Sequence, residues 1–376
     1  MNFAVIEYSS KSGEIWKHTR ELPNFLADPE QEIDPTSFGG YVSALGGEHI
    51  PLTGLIVGNV YELSSSVRLR RRIHKKILKR WPQDYSLEYL KRFDVLLVVH
   101  QISDGHEMTA FTKRLKEAHP HILILGVPTQ PYGILKNYWE QHLRWLEDFR
   151  AFMDACDVFI TIVANTKAVW QELTTTPVEY LPQPYPAEFA TRFFRRPESK
   201  GKVIFVAGVT ERENIQRGQT LAKLLQRELP DYLIHVTKIP SVHLDLSELA
   251  GARYTVVPFE PWRKHLVSLS KSMIVLNTDF TFTRGRVQMD CAAVGTPSLG
   301  ANSDAQLDLF PALSATPDTL VDDLVELGRE LLNSRGRYDR VVAAARQKLP
   351  QYNYNTTAHR LKELVARYRS RGVRLK

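Results

Sequence analysis

The sequence predicts an α/β protein built from two doubly wound domains. Short apolar, β-branched runs alternate with helical patterns in both halves of the chain, and a proline-rich stretch at 177–197 separates the halves. Because consecutive parallel strands need crossover helices, this alternation indicates in each half a parallel sheet covered on both faces.

In the first half, five apolar runs are predicted to form strands, and Asp94–His100 is the clearest because its apolar run is uninterrupted. The predicted strands are 3–8, 55–57, 94–100, 121–126 and 157–163. Helical patterns cover 106–118 and 137–154, so the order of elements is that of βα units.

The alternation stops in the proline-rich stretch, where no helix is expected, and restarts after it. We therefore predict a first domain at 1–185, a linker at 186–200, a second domain at 201–350 and a C-terminal helix within 351–376. The second domain has predicted strands at 202–208, 232–236, 253–257 and 273–277 and helices at 215–229, 286–294, 317–333 and 336–348.

The composition and charge of the sequence favour some classes of partner and exclude some classes of protein. The 376 residues carry a formal charge of +7, which favours an anionic partner such as a phosphorylated substrate, an acidic lipid or nucleic acid. Only two cysteines are present, which excludes a disulfide scaffold. No apolar run approaches the ~20 residues of a membrane-spanning helix, and the N-terminus does not resemble a signal peptide. We expect a cytoplasmic protein.

Common chemical motifs are missing from the sequence. It contains neither a P-loop, nor Gly-x-Gly-x-x-Gly after the first strand, nor a Gly-x-Ser-x-Gly elbow. His106-Glu107 begins like a zinc helix, but Ala110 stands where the second histidine would be needed. No spacing of metal ligands is recognisable, so we predict no metal site.

The second half contains a distinctive order of features. Gly208 ends a predicted strand, Arg217 and Gly218 follow at a helix start, and Asp290 precedes the segment Cys-Ala-Ala-Val-Gly-Thr-Pro. This order resembles the donor-binding half of GT-B-fold glycosyltransferases of the retaining group-1 family. In that resemblance Arg217-Gly218 matches a Lys-Gly pair that touches the donor diphosphate, and Arg212 stands in for an earlier arginine. The family also has two glutamates, matched here by Asp290 and, eight residues earlier, by Phe282.

The resemblance implies two Rossmann-like domains facing a cleft, with a nucleotide-sugar donor held by the second domain and an acceptor by the first. It implies no cofactor, a glycan or lipid-linked acceptor, and a C-terminal helix that crosses back to the first domain. Phe282 departs from the family pattern because it has no carboxylate. The outcome of the reaction, retaining or inverting, is therefore left open.

The residues alone also favour an anion site. Arg284 and Arg286 flank Gly285 at a predicted strand-to-helix junction, where two guanidiniums and a helix N-terminus would converge on phosphate. The alternative is a solvated helix start. Asp290 lies one helical turn from Arg286, so it either accepts hydrogen bonds from a ribose or forms an ion pair with Arg286.

In the first half, His100 and His106 follow the clearest strand, where the family often carries histidines that face the sugar. The alternative for either is a structural histidine. If the enzyme inverts, Asp104 and Glu7 are the carboxylates best placed to act as a general base. Gly13, after the first strand, allows either close approach of an acceptor or simply a turn.

Arg68–Arg80 is predicted to form a basic amphipathic helix, since apolar residues recur every four positions among lysines and arginines. It either packs on the sheet as a surface helix or binds an anionic membrane, which would place the protein at the inner face of the membrane. Nucleic acid is a less favoured partner, because aromatic residues for base stacking are not interleaved.

These observations predict a metal-independent glycosyltransferase that uses a nucleotide-sugar donor. Two alternatives stay open: a nucleotide-sugar epimerase of the same fold, and a catalytically inactive GT-B module that acts as a binding or scaffold protein.

Overall fold

A computed structural model describes residues 1–7, 38–51, 87–100, 105–208, 211–239 and 243–370. The chain divides into two compact units. The first contains the described residues up to Pro184 and those from Thr357 onwards, and the second contains Tyr185–Thr356. The strand predicted at 55–57 and the basic helix predicted at 68–80 lie outside the described residues.

The first unit contains a sheet of six parallel strands in the order β2-β1-β3-β4-β5-β6. The strands are β1 (Phe3–Glu7), β2 (Glu48–Pro51), β3 (Val95–His100), β4 (Leu123–Pro128), β5 (Val158–Thr161) and β6 (Val178–Tyr180). All six residues of β3 are buried, and Val98 lies opposite Gly126 of β4. β3 is therefore a central strand covered on both faces, as its uninterrupted apolar sequence predicts.

The helices of the first unit pack aromatic side chains against this sheet. They are α1 (Gly39–Leu45), α2 (Leu87–Leu90), α3 (Gly105–Ala118), α4 (Tyr132–Gln141), α5 (Leu143–Ala155) and α6 (Lys167–Leu173). Phe149 of α5 is fully buried, with ring centroids of Trp139, Trp170 and Phe159 at 5.3, 5.4 and 5.6 Å. Burying aromatic rings of this size stabilises the unit by about 2 kcal/mol or more per side chain.

One predicted helix of the first unit is wrong. The single helix expected at 137–154 is two helices, α4 and α5, because the backbone at His142 leaves helical geometry with φ −143° and ψ 87°. Neither glycine nor proline marks this break in the sequence.

The second unit contains five parallel strands in the order β11-β10-β7-β8-β9. The strands are β7 (Val203–Val206), β8 (Leu233–Lys238), β9 (Tyr254–Pro258), β10 (Ile274–Asn277) and β11 (Ser298–Gly300). From β7 the chain moves to β8 and β9 on one side and then returns to β10 on the other. The carboxyl ends of β7 and β10 thus flank the point where the strand order reverses. This sheet and that of the first unit confirm the predicted class of two parallel α/β domains.

The second unit contains more helix than the sequence suggests. Its helices are α7 (Ala187–Ala190), α8 (Arg212–Glu228), α9 (Trp262–Lys271), α10 (Arg286–Val294), α11 (Asp304–Leu309), α12 (Val321–Asn333) and α13 (Arg335–Lys348). The proline-rich stretch was expected to contain no helix, but α7 begins directly after Pro186, because proline is compatible with a helix start. The sequence prediction also omits α9, whose buried Trp262, Leu266 and Leu269 recur at helical spacing.

The last helix, α14 (Tyr354–Ser370), belongs to the first unit from Thr357 onwards. The hydroxyl of Tyr368 donates a 2.9 Å hydrogen bond to the Glu179 carboxylate, and Arg369 donates to the Asp94 carbonyl oxygen at 3.0 Å. Arg369 also pairs with the Asp94 carboxylate at 3.3 Å. These contacts attach the helix to β6 and to the residue that precedes β3.

Each unit contains one of the two cysteines, Cys156 in the first and Cys291 in the second. Both are buried, and burial raises the pKa of both thiols well above its ordinary value. No helix in the described ranges is long and apolar enough to cross a membrane.

Candidate functional site

A cavity of about 240 Å³ lies in the second unit at the carboxyl ends of its strands. Ligands of doubly wound sheets bind at such an edge, where the strand order reverses. The polar and aromatic side chains in its wall come from the ends of β8 and β10 and from the segments that follow β9 and β10. They are Thr237, Phe259, Glu260, Trp262, His265, Asn277, Asp279, Thr283, Arg284, Arg286, Gln288 and Asp290.

The loop between β10 and α10 has a fixed backbone. Gly285 has φ +81°, and a Cβ there would lie 2.6 Å from the Ala305 Cβ, so only glycine fits. Phe282 also has a left-handed backbone, with φ 60°, which costs ~1–3 kcal/mol in a residue other than glycine. Asp279 accepts hydrogen bonds from the Thr281 backbone N–H at 2.9 Å and from its hydroxyl at 2.6 Å. The loop therefore presents the start of α10 in one conformation.

Two arginines stand where this loop enters α10. Arg284 and Arg286 are half-buried, and both line the cavity. α10 begins at Arg286, so the positive end of its dipole lies at the same wall of the cavity as the two arginines. The predicted strand-to-helix junction is thus observed, and its charge suits an anion.

Gly208 also lines this cavity, two residues after β7. A Cβ at Gly208 would lie 2.9 Å from Cγ1 of Ile239, so a larger residue would displace the neighbouring segment. Glycine here brings the backbone after β7 close to the cavity.

Asp290 is a buried carboxylate in the cavity wall, with an exposed fraction of 1%. Its Oδ1 atom accepts a 2.7 Å hydrogen bond from the Tyr185 hydroxyl and a 2.9 Å bond from Nε1 of Trp262. Burial, reinforced by the Asp290 charge, raises the pKa of Tyr185 well above its ordinary value. To the two predicted roles of Asp290, ribose ligand or partner of Arg286, the structure adds a third, since it anchors two aromatic side chains.

His265 lies in α9, and its ring is part of the same wall. Burial, together with the nearby charge of Arg286, lowers the pKa of His265 to about 4. The imidazole is therefore neutral at pH 7 and offers one hydrogen-bond donor and one acceptor.

Arg212 and Arg217, also predicted to bind the donor, do not line the cavity. Arg212 is exposed at the first position of α8. The Arg217 guanidinium donates to the carbonyl oxygens of Pro317, at 2.6 Å, and Thr319, and it lies 5.0 Å from the Phe280 ring centroid. Since Phe280 belongs to the β10–α10 loop, Arg217 supports the loop that carries Arg284.

In the first unit, His100 ends the central strand β3 and has an exposed fraction of 2%. Its ring centroid lies 4.7 Å from that of Phe149 and 5.1 Å from that of Phe152. Burial lowers the pKa of His100 to about 3, so the ring is neutral at pH 7. Its Nε2 atom has no hydrogen-bond partner among the described residues.

Of the other predicted residues of the first unit, only His106 and the backbone of Glu7 lie in the described part of the chain. His106, in the first turn of α3, is exposed and lies 3.8 Å from the Asp148 carboxylate. Glu7 ends β1, the strand beside β3, although its side chain is outside the description. Asp104 and Gly13 lie outside the described residues.

Sequence reasoning missed several side chains of the cavity wall, among them Thr237, Trp262, His265 and Gln288. Trp262 and His265 were missed together with α9. Gln288 had a signal, because it is a lone amide between the apolar residues Val287 and Met289 of a helix that is buried from residue 288 onwards. Within the described residues, no group of three or more His, Cys, Asp or Glu side chains is placed to hold a metal ion.

Comparison with solved structures identifies the fold. Sucrose-phosphate synthase from Thermosynechococcus elongatus aligns with a TM-score of 0.63 at 13% identity, covering 99% of this chain and 100% of that chain. An α,α-trehalose-phosphate synthase (UDP-forming) from Burkholderia vietnamiensis aligns with a TM-score of 0.56 at 10% identity, covering 98% and 100%. The pneumococcal O-GlcNAc transferase in complex with UDP and GlcNAc aligns with a TM-score of 0.53 at 13% identity, covering 75% and 58%. No protein-family model and no curated protein matches the sequence.

These alignments confirm the predicted GT-B fold. Identities of 10–13% establish the fold and not the activity.

Proposed function

We propose that this chain is a glycosyltransferase that moves a sugar from a nucleotide-sugar donor to an acceptor. The observation that carries the proposal is the cavity at the ends of β7 and β10, with Arg284 and Arg286 at the start of α10. Its support from comparison is the shared fold of enzymes described as sugar-phosphate synthases and of a transferase bound to UDP and GlcNAc.

The proposed chemistry follows from charge. When the bond between the sugar and the phosphate breaks, negative charge grows on the nucleoside diphosphate that leaves. The backbone that carries Arg284, Arg286 and the N–H groups at the start of α10 is set before the reaction by the left-handed residues and the Asp279 hydrogen bonds of the β10–α10 loop. We propose that these groups stabilise the leaving diphosphate without a metal ion.

The acceptor is proposed to be a glycan or a lipid-linked molecule. This part of the proposal rests on the basic sequence Arg68–Arg80, which suits an anionic membrane surface. Location in the cytoplasm at the inner face of the membrane belongs to the same proposal.

A nucleotide-sugar-binding module without catalysis is the second candidate. Phe282 favours it, because a phenyl ring stands eight residues before Asp290, where the family resemblance places a carboxylate. Such a module would bind the donor and release no product.

The test is donor turnover. The protein is incubated with UDP-, GDP- and ADP-sugars, with and without glycan and lipid-phosphate acceptors, and free nucleoside diphosphate is measured. We expect release with one donor, and a much slower release by Arg284→Ala. Arg329→Ala is the matched control, since Arg329 is an exposed residue of α12 paired with Glu326 at 2.6 Å. Donor binding is measured on the same panel by calorimetry. A donor that binds without release of nucleoside diphosphate supports the binding module, and a protein that binds no donor contradicts both candidates.

A further inference from the structure

Gln288 is a buried amide that makes no hydrogen bond in the described part of the protein. Its exposed fraction is 0%, and neither Nε2 nor Oε1 has a partner there. Gln288 lies in the first turn of α10 and lines the cavity beside Arg286 and Asp290.

An unpaired amide of this kind is unfavourable in the folded protein. Removing its two polar atoms from water without replacing their hydrogen bonds costs ~1–3 kcal/mol, and buried polar groups in native proteins are paired in the great majority of cases. A leucine or methionine of similar volume would fill the same space without this cost. An amide in a cavity wall is favourable once a ligand supplies the missing partners.

Gln226, another buried glutamine of the same unit, has both amide atoms paired, whereas Gln219 and Gln306 are paired only through Nε2 among the described residues. The Gln226 Nε2 donates to the carbonyl oxygens of Tyr232 at 2.7 Å and Arg253 at 2.8 Å, and its Oε1 accepts from the Arg253 N–H at 2.9 Å. The contrast with Gln288 is therefore between two buried glutamines of one unit.

Thr237 is an independent second observation. It lies near the end of β8, has an exposed fraction of 7% and lines the same cavity. Its hydroxyl has no hydrogen-bond partner among the described residues. Two neutral polar groups from different elements, each buried, thus border one cavity.

We infer that Gln288 and Thr237 form a neutral subsite that determines which donor binds, an inference that rests on the proposed function. The arginines suit the phosphates, whereas an uncharged amide and a hydroxyl suit groups that both donate and accept hydrogen bonds. In a nucleotide-sugar such groups are the edge of the base and the hydroxyls of the ribose and of the transferred sugar.

The test compares Gln288→Leu with Gln226→Leu in the full-length chain. Thermal unfolding is measured without ligand. Calorimetry gives the Kd of the best donor in a panel of UDP-, GDP- and ADP-sugars and the Kd of its sugar-free nucleoside diphosphate. We expect Gln288→Leu to keep or raise Tm and to weaken donor binding about 10-fold, as for the loss of two hydrogen bonds. Gln226→Leu should lower Tm and leave Kd unchanged, and Thr237→Val should weaken binding several-fold.

Comparing the two ligands shows which part of the donor Gln288 contacts. Weaker binding of both assigns Gln288 to the nucleoside part, and weaker binding of the nucleotide-sugar alone assigns it to the transferred sugar; either result supports the inference. Wild-type Kd values for Gln288→Leu, or a loss of Tm like that of Gln226→Leu, overturn this inference alone. A wild-type protein that binds none of the panel overturns the proposed function, and this inference with it.

Discussion

The hydroxyl of Tyr185 donates a 2.7 Å hydrogen bond to the carboxylate of Asp290, and both residues are almost fully buried. The backbone N–H of Tyr185 donates to the carbonyl oxygen of Tyr352 at 2.8 Å. Tyr185 is the first described residue of the second unit, and Tyr352 precedes its last residue, Thr356, by four positions. One tyrosine thus joins the cavity wall to both ends of the unit.

Tyr185→Phe should destabilise the second unit by ~1–3 kcal/mol, because it leaves the buried Asp290 carboxyl group with one hydrogen bond fewer. Tyr338→Phe is the control, since its hydroxyl donates to the neutral carbonyl oxygen of Met273 at 2.9 Å and should contribute only ~0.5–1.5 kcal/mol. Urea unfolding of both variants measures the two losses of unfolding free energy and checks that the loss is larger for Tyr185→Phe. Equal losses would show that the Asp290 partner adds nothing beyond an ordinary hydrogen bond.

Arg284→Ala should weaken the binding of a nucleoside diphosphate by about 10–100-fold, because one charge-assisted hydrogen bond to phosphate is lost. Turnover should fall further than affinity, since charge grows on the leaving group in the transition state. Calorimetry and product release measure the two effects, with Arg329→Ala as the control. Wild-type affinity in a folded Arg284→Ala protein would remove Arg284 from the proposed donor site.

Gly285→Ala should lower stability and donor affinity together. The new Cβ would meet the Ala305 Cβ at 2.6 Å and the Ser303 Oγ at 2.7 Å, in a backbone with φ +81°. Gly336→Ala is the matched control, because a Cβ there meets its nearest neighbour at 3.5 Å, and alanine in a helix is favoured over glycine by ~0.5–1 kcal/mol. Thermal unfolding should therefore move in opposite directions for the two variants.

The second unit should lose stability in acid. The folded-state pKa of His265 is about 4, against 6.5 for an unperturbed histidine, so between these values the unfolded state binds a proton that the folded state lacks. The contribution of a neutral His265 to the free energy of unfolding is complete above pH 6.5. It declines by about 1.4 kcal/mol per pH unit as the pH falls towards 4. Urea unfolding from pH 7 to 4.5 should show a shallower decline in His265→Gln. If the unfolding free energy fell equally with pH in the wild type and in His265→Gln, protonation of His265 would not destabilise the folded protein.

Binding to acidic membranes is expected from the segment Arg68–Arg80. Vesicles that contain anionic lipid should sediment the protein at low salt and release it as salt rises, because surface charges are screened beyond ~8 Å at physiological ionic strength. Replacing Arg70, Arg71 and Arg72 by glutamine should weaken this binding. Equal binding to neutral vesicles would contradict an electrostatic attachment.

A buried strand and the helix at the candidate site are predictable from this sequence. β3 is a continuous apolar run, and α10 starts and ends at the predicted residues 286 and 294. The break at His142 could not be predicted, because neither a glycine nor a proline marks it in the sequence. The proline-rich stretch hid β6 and α7, which are too short to show a period.

The candidate site was predictable where charge and a turn coincide, as at Arg284, Gly285 and Arg286. Arg217 was expected at the phosphate because of its neighbour Gly218, yet its carbonyl partners at 317 and 319 come from a segment a hundred residues further along the chain. The lack of hydrogen-bond partners at Gln288 could not be predicted either, because it depends on which groups tertiary packing brings next to the buried amide.

Because one cysteine lies in each unit, the opening of the two units can be measured separately. Because Cys156 and Cys291 are shielded in different units, a thiol reagent reaches either sulfur only when its own unit opens. Mass spectrometry after pulse labelling would resolve the two modified peptides, so the chain contains one intrinsic reporter of unfolding for each half. Donor added before the pulse should slow labelling at Cys291 more than at Cys156, because the proposed donor cavity belongs to the unit of Cys291.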